Sequence, residues 1–503
     1  MSKFRETSRN EQFLLPLSIN DFIPANHMAR MIDELAERLD TKPIEDKYSR
    51  LGRKGYAPRM LIRLLFYGYS TGERSSRKIA GKCETDLAYM YLSGMDKPDF
   101  RTISDFRKNN IAELKSYFRD VVLFCHEAGL GRGAALFIDG TKIRANASAK
   151  KSVKKEKLDE LINELDRSIS DVFQEADDID DIEDREFGDA RGDELPPELR
   201  DPVERRKRLD EIKKKLDAEK AKKINLTDPD AKLMKERHGV IRPCYNCQVA
   251  VSEDGLILAQ DAVCETNDTG QLESMTEAAL KLFPEKNKVV ADAGYGTYDN
   301  LEYLKKNGLD GYVYDFAGEI KGLLTGSTDK RYHYLNFKYD GERDCYICPE
   351  GKELPFFHEK MFRGRPNRTY HCKDCGCCDV REDCTRIQSR KISVDCRVAL
   401  IMEMLEKFRS VEGWALYKKR MWTVEPQFGN MKQNLGYRQF LMRGKEKAKG
   451  EFSLMCIGHN LGKMFRKLKR EMERTGKGLK GLLEEASTGC MKSLFKPPAS
   501  SMA

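Results

Sequence analysis

No stretch of this 503-residue chain approaches the roughly 20 continuous apolar residues that a membrane span needs. Its first residues, MSKFRETSRNEQF, hold no apolar core of the secretory kind. The sequence therefore predicts a soluble protein that meets no membrane and works in the cytoplasm of the cell. An excess of charge of one sign is missing as well: 90 basic residues oppose 82 acidic ones, a net of +8. Any nucleic-acid contact must then rest on where the charges lie rather than on their total. Only length and cysteine are plentiful. The length allows two or three domains, each with its own core, and argues against a single small binding module.

Fifteen cysteines would suggest disulfides in a small secreted domain. Here, however, several crowd into one window as pairs two apart, the habit of metal ligands in a reducing compartment. Cys345 and Cys348 form one CxxC, and Cys372 and Cys375 form a second with 23 residues between. Cys377, Cys378 and Cys384 follow at once. That spacing reads as a tetrahedral structural zinc site closing a loop-rich insertion without a large apolar core. The expected ligands are Cys345, Cys348, Cys372 and Cys375, with His358, His371, Cys378 and Cys384 as substitutes. Cys244 and Cys247 share the spacing but fall in an apolar strand, where packing is the better reading.

Along the chain the texture changes several times. Residues 1–130 read as a helical N-terminal domain, from three-and-four spacing in MLIRLLFYGYSTG and IAELKSYFRDVVLFCHEAGL. It holds Arg50, Arg53, Lys54, Arg59, Arg63, Arg74, Arg77, Lys78, Arg101, Arg107 and Lys108, enough for phosphate contacts and a helix in the major groove. A solvated charged surface would look the same. In KPDFRTISDFRK, Thr102 or Ser104 is the expected helix cap. The segments 131–149 and 236–320 read as the first part of an α/β core: strand, hairpin, helix, strand, helix, strand. Between them, 150–235 is a charged helical hairpin with an acidic, Pro-bearing tip. The cysteine-rich insertion spans 321–397, a helical part of the core 398–472, and a flexible tail 473–503.

The chemistry is expected where carboxylates meet. Asp139 in FIDGTKIRANAS and Asp292 in ADAGYGTYDN each end an apolar run and precede a glycine closely. Alone, either reads as a turn former. On strands that pair, they read as hard oxygen ligands for magnesium or manganese in phosphoryl transfer. A third carboxylate, Glu425, stands seven residues before Lys432, nearly on one helical face, although Pro426 must kink or start a helix there.

These residues resemble a family. Asp139 and Asp292 in their contexts, YNCQ at Tyr245 to Gln248, and Tyr417, Arg420, Glu425 and Lys432 closely resemble bacterial insertion-sequence transposases of the DDE type. The branch is marked by a Tyr-x2-Arg-x3-Glu-x6-Lys signature in a ribonuclease-H-like core, and PANHMARMIDELAERL onward looks like its amino-terminal domain. The resemblance implies a ribonuclease-H-like α/β core interrupted by the two insertions. It implies that Asp139, Asp292 and Glu425 hold catalytic Mg²⁺ or Mn²⁺, and that Tyr417, Arg420 and Lys432 hold the DNA backbone near the cut. It also implies a DNA substrate comprising terminal inverted repeats and target, cleavage followed by strand transfer, a homodimer or larger assembly, and a bacterial, nucleoid-associated setting. One departure stands out: four residues, not three, separate Arg420 from Glu425, so on a straight helix they would face roughly 140° apart. That makes Lys432 the better assignment of the two cations. Trp422, one of two tryptophans, reads either as a core residue or as a base-stacking contact. Two other readings keep the fold: a metal-dependent nuclease without strand transfer, and a transposase-derived DNA-binding regulator without catalysis.

Overall fold

The computed structural model describes residues 18–49, 55–169, 197–236, 239–313, 331–362 and 365–494. Arg50, Arg53, Lys54 and the acidic tip up to residue 196 lie outside the described residues. The first part is helical, with helices Met28–Glu37, Pro58–Ser70, Ser76–Thr85, Leu87–Ser93, Phe100–Asn109 and Ile111–Glu127. Pro58 starts its helix at a position where a missing N–H costs nothing. Asp86 caps the next-but-one, accepting from the amides of Ala88 and Tyr89. The cap expected at Thr102 or Ser104 is instead Asp99, whose carboxylate accepts from Arg101 N at 2.7 Å. Helix propensity thus starts one turn earlier than the basic run suggested.

The central sheet contains β1 (Ala135–Arg144), β4 (Lys232–Lys235), β5 (Ile241–Ser252), β6 (Ile257–Val263), β7 (Lys288–Ala291) and β8 (Asp310–Val313). A short pair, β2 (Ser152–Val153) and β3 (Ile224–Asn225), lies at the base of the charged insertion. The order across the main sheet is β6-β5-β1-β7-β8, with β4 also on β5. β5 runs antiparallel to β1 and β6, whereas β1, β7 and β8 are parallel. β1 is flanked on both sides, which suits the unbroken apolar run ALFI at its start. Contrary to expectation, Asp139 does not end β1 but stands at its middle, because β5 continues to pair with it through Arg144.

Helix Lys445–Thr475 is the spine of the molecule, packed on β6 and on helices Ile111–Glu127 and Pro58–Ser70. The approach is close: a Cβ on Gly458 would lie 2.6 Å from the Tyr69 carbonyl oxygen, so only glycine fits that crossing. The fully buried Glu451 sits nearby. Its carboxylate accepts from Arg74 Nη1 at 3.1 Å and from the amides of Leu441 and Met442 at 2.9 and 3.0 Å. Arg107, also buried, donates to the Tyr69 hydroxyl and to the Arg74 carbonyl. Arg59 and Arg63 pair with Glu37 and Asp33. Four of the basic residues that suggested a DNA-facing surface are therefore engaged within the protein.

In the charged insertion, helices over 155–169 and Pro197–Ala218 pack through Leu158, Ile162, Leu209, Ile212 and Leu216. The cysteine-rich region is not loop-rich. Strands β9 (Lys338–Asp340), β10 (Cys345–Ile347), β11 (Glu353–Phe362), β12 (Arg365–His371) and β13 (Lys391–Asp395) form an antiparallel sheet. They enclose an apolar cluster of Phe337, Tyr346, Leu354, Tyr370, Ile392 and Val394. The tail expected to be flexible from 473 forms helix Leu479–Leu494, with Leu479 and Leu483 buried. Among the described residues no helix is long and apolar enough to cross a membrane.

Replacing Glu451 by alanine leaves Arg74 and Arg107 without their buried counter-charge. The expected loss of stability is about 3–5 kcal/mol. Urea unfolding would measure it, and a loss below about 1 kcal/mol would show that the pair is not what holds the helical region to the spine.

Candidate functional site

The first two carboxylates are brought together by strand register. Ile138 on β1 pairs with Ala291 on the parallel β7, so the next residues, Asp139 and Asp292, stand side by side where β7 stops. Asp292 then caps a short 3₁₀ turn, its Oδ1 accepting from Gly294 N at 2.8 Å. Asp139 Oδ1 accepts from the following amide, Gly140 N, also at 2.8 Å. Burial raises both carboxyls, and for Asp139 the neighbouring Asp292 and Asp268 add to this, carrying it up to about 7. The guanidinium of Arg420 opposes the shift.

Arg420 is the cation that reaches this point. Its Nη1 donates to Asp139 Oδ2 at 2.9 Å, with both side chains about 15% exposed, so the pair is largely out of water. Its guanidinium lies over the ring of Tyr417, itself packed on Trp414 and Phe408. Arg420, ranked below Lys432 by its spacing, thus reaches Asp139 directly. Helix Val411–Thr423 ends at Val424, and a new turn, Glu425–Gly429, starts with Pro426 at its second position. A π-turn follows over Asn430–Asn434. Lys432 donates from it to Thr141 Oγ1 at 2.6 Å and to the Lys142 carbonyl at 2.8 Å. Further on, Phe440 N donates to the Arg144 carbonyl. The chain from Arg420 to Phe440 therefore runs along β1 from Asp139 to Arg144.

Glu425 lies within that run but is exposed. Among the described residues it does not stand with Asp139 and Asp292 in a group that could hold a metal ion. Across the break before Pro426, Arg420 reaches Asp139 while Glu425 stays exposed. Trp422 is 62% exposed, beside Met421 at 56%, so the core reading of this tryptophan is corrected to a surface one.

A fourth carboxylate, Asp268, was not singled out by the sequence, because it follows β6 in a polar loop with no apolar strand pointing at it. Its Oδ1 accepts from Gln248 Nε2 at 2.6 Å and from Asn246 Nδ2 at 2.7 Å. Gln248 in turn accepts from the Tyr295 hydroxyl. The alternate residues of the same strand, Tyr245 and Cys247, point into the core, where the Tyr245 hydroxyl donates to buried Asp228 at 2.8 Å. The YNCQ run is thus one strand serving two faces.

The cysteines divide differently from expectation. Cys348, Cys372, Cys375, Cys378 and Cys384 line one cavity of about 20 Å³, room for one small ion or water. Lys352 N donates to Cys348 Sγ at 3.2 Å and Arg390 N to Cys375 Sγ at 3.3 Å. Burial and the neighbouring Cys375 raise the Cys372 thiol to about 12. Cys345 is not in this group: it pairs with Asp340 and Pro355 within the sheet. The foursome of Cys345, Cys348, Cys372 and Cys375 is therefore not assembled. Among the described residues no three His, Cys, Asp or Glu side chains stand in a metal-holding group. His371 instead hydrogen-bonds Ser389, and Cys244 and Cys247 are buried in β5, as packing requires.

Two family models match the chain. Residues 17–109 match one described as "Transposase domain (DUF772)", and residues 347–465 match "Transposase DDE domain". Both matched segments thus resemble transposase domains. The two matches together support an insertion-sequence DDE transposase, in agreement with the motifs. The matched segments contain Glu425 and Arg420 but neither Asp139 nor Asp292. No curated protein and no solved structure matches the chain.

The Asp139 and Arg420 side chains should be coupled energetically. In a double-mutant cycle with Asp139→Asn and Arg420→Gln, the interaction energy measured by denaturant unfolding should be about 1–3 kcal/mol. Additive single effects would show that the two do not meet in solution.

Proposed function

We propose that this chain is the transposase of an insertion sequence, one that binds terminal inverted repeats and carries out metal-dependent cleavage and strand transfer with Asp139, Asp292 and Glu425. The observation that carries the reading is the placement of Asp139 beside Asp292 on neighbouring parallel strands, with Arg420 and Lys432 delivered to the same strand by the segment that contains Glu425. The strand order β6-β5-β1-β7-β8, three antiparallel members followed by two parallel ones, supports a ribonuclease-H-like core.

The donor set fits a hard divalent cation. Two buried carboxylates lie beside each other and near Asp268, and a cation between them offsets the burial, and the added repulsion, that raise Asp139. Asp139, Asp292 and Glu425 would hold Mg²⁺ or Mn²⁺, which when bound polarises phosphate oxygen and lowers the pKa of the attacking hydroxyl. Water adds at the scissile phosphorus and the bond to the 3′ oxygen breaks, leaving a 3′-hydroxyl and a 5′-phosphate. That hydroxyl then attacks a target phosphodiester, displacing another 3′ oxygen. Arg420 and Lys432 supply positive charge to the non-bridging oxygens as charge develops there. Tyr417 orients Arg420, and the exposed Trp422 stacks on an unpaired base at the opened end. The helical N-terminal region contacts the duplex, and two copies act together so that two ends are cut in concert.

In this reading the cysteine-rich region is structural and holds zinc. Support comes from the five cysteines around one small cavity and from the two backbone amides that donate to their sulfurs, a donor set that suits a thiophilic ion. The sheet beside it has an apolar cluster of its own, so the ion locks a loop rather than building the domain.

Two outcomes test these proposals. With Mg²⁺ or Mn²⁺ and a labelled duplex bearing the element's end, the wild-type chain should yield a strand-joined product. Asp139→Ala, Asp292→Ala and Glu425→Ala should each abolish cleavage by more than about a hundredfold while end binding persists. Cleavage without joining points to a nuclease, and binding alone to a regulator. Separately, atomic emission of the purified chain should find zinc, lost in Cys348→Ser or Cys375→Ser and retained in Cys345→Ser. Metal-free wild-type protein would refute the structural zinc.

A further inference from the structure

Asp268 lies where no strand-end argument would put a functional carboxylate, yet the structure wedges it between the two segments that carry Asp139 and Asp292. Gly140, next to Asp139, pairs with Gln248 across the β1–β5 ladder, whereas Asp139 pairs with Val249. Paired residues share a face, so Gly140 and Gln248 look to the side of the sheet opposite Asp139. There the Asp268 carboxylate fills the space a side chain at Gly140 would need: a Cβ would lie 2.7 Å from Asp268 Oδ1. Its other oxygen faces Gly294, where a Cβ would lie 3.3 Å from Oδ2 and 3.1 Å from Asp292 Oδ1. One carboxylate therefore packs on the backbone that follows Asp139 and on the turn that Asp292 caps.

Its orientation is held by buried polar groups. Asn246 and Gln248, both essentially without solvent exposure, donate to Oδ1. Gln248 has its own carbonyl oxygen fixed by the Tyr295 hydroxyl, and Tyr295 belongs to the turn after Asp292. A buried side-chain amide between two partners has one orientation that satisfies donor and acceptor together. The network thus runs from β5 through Asp268 and Gln248 to the Asp292 turn, and passes behind Asp139 on the way.

We propose that Asp268 is a positioning residue, which sets from behind the sheet the separation of the backbone segments bearing Asp139 and Asp292 and so the affinity of the centre for a divalent cation. It rests on the reading that those two aspartates hold the ion. Groups that orient metal ligands from outside the coordination sphere affect affinity by about 10–100-fold when removed. The interaction runs through acceptance at Oδ1, and an asparagine retains an oxygen there.

The test is Mn²⁺ binding to the full-length chain, followed by electron paramagnetic resonance, beside the Mn²⁺ concentration that half-activates cleavage. Asp268→Ala should weaken both by about tenfold or more, Asp268→Asn should recover most of the loss, and melting temperatures should report that each variant is folded. Tyr295→Phe, which removes only the hydroxyl that fixes Gln248, should shift both readouts in the same direction by less, and serves if Asp268→Ala does not fold. Wild-type Mn²⁺ binding in folded Asp268→Ala, or in Tyr295→Phe when the alanine variant does not fold, overturns the inference. So does equal weakening in the alanine and asparagine variants, which would make the charge itself, and not the held orientation, what matters. Failure of the underlying reading looks different: Asp139→Ala and Asp292→Ala would then bind Mn²⁺ as wild type does.

Discussion

A single buried carboxylate, Glu451, is the constraint on which the assembly of this chain turns. It lies on the long spine helix, where water cannot solvate it, and burial raises its carboxyl despite two arginines nearby. Its partners come from far apart in sequence. Arg74 lies in the turn between two N-terminal helices and Arg107 on a third, and the amides of Leu441 and Met442 belong to the segment leaving the candidate site. Such a group is tolerable only when all of its partners arrive, so the N-terminal helices, the spine and the 438–442 segment are specified together. The close crossing at Gly458 and the Tyr437 hydroxyl donating to the Tyr69 carbonyl lie in the same region. The site segment along β1 is therefore anchored at one end by packing that has nothing to do with chemistry.

At its other end the segment is anchored by charge. Asp139, Asp292 and Asp268 would repel one another in a partly dry cleft, and Arg420 is the cation present to offset this. That arrangement makes Arg420 both a structural partner and, in the proposed reaction, a source of positive charge for phosphate. It also explains how an arginine whose spacing seemed unfavourable reaches the centre: its helix stops at Val424, and Arg420 turns inward independently of Glu425. The π-turn that follows lets Lys432 turn back onto β1.

The cysteine-rich region shows the limit of spacing arguments. Two CxxC pairs were legible, and they led to a foursome that included Cys345. That residue is a strand member whose side chain belongs to the sheet, while Cys378 and Cys384, close in sequence to the second pair, close the cavity. Which sulfurs line the cavity depends on the turns that bring them together, and the β10–β11 ladder keeps Cys345 out of it.

Sequence by itself determined the resemblance to transposases, the helical beginning, the strands that lead to Asp139 and Asp292, and the paired helices of the charged insertion. These rest on short-range patterns: apolar runs of strand length, helical periodicity and motifs with their order. Tertiary structure alone decided that the two aspartates are neighbours, because parallel pairing of β1 with β7 brings together residues 153 positions apart. It decided that Trp422 is exposed, that Arg59, Arg63, Arg74 and Arg107 are engaged internally, and that Asp268 stands behind the site. A charged or polar side chain carries no mark of its partner in the residues next to it. Only long-range register and packing determine whether it meets water, another charge or the back of a strand.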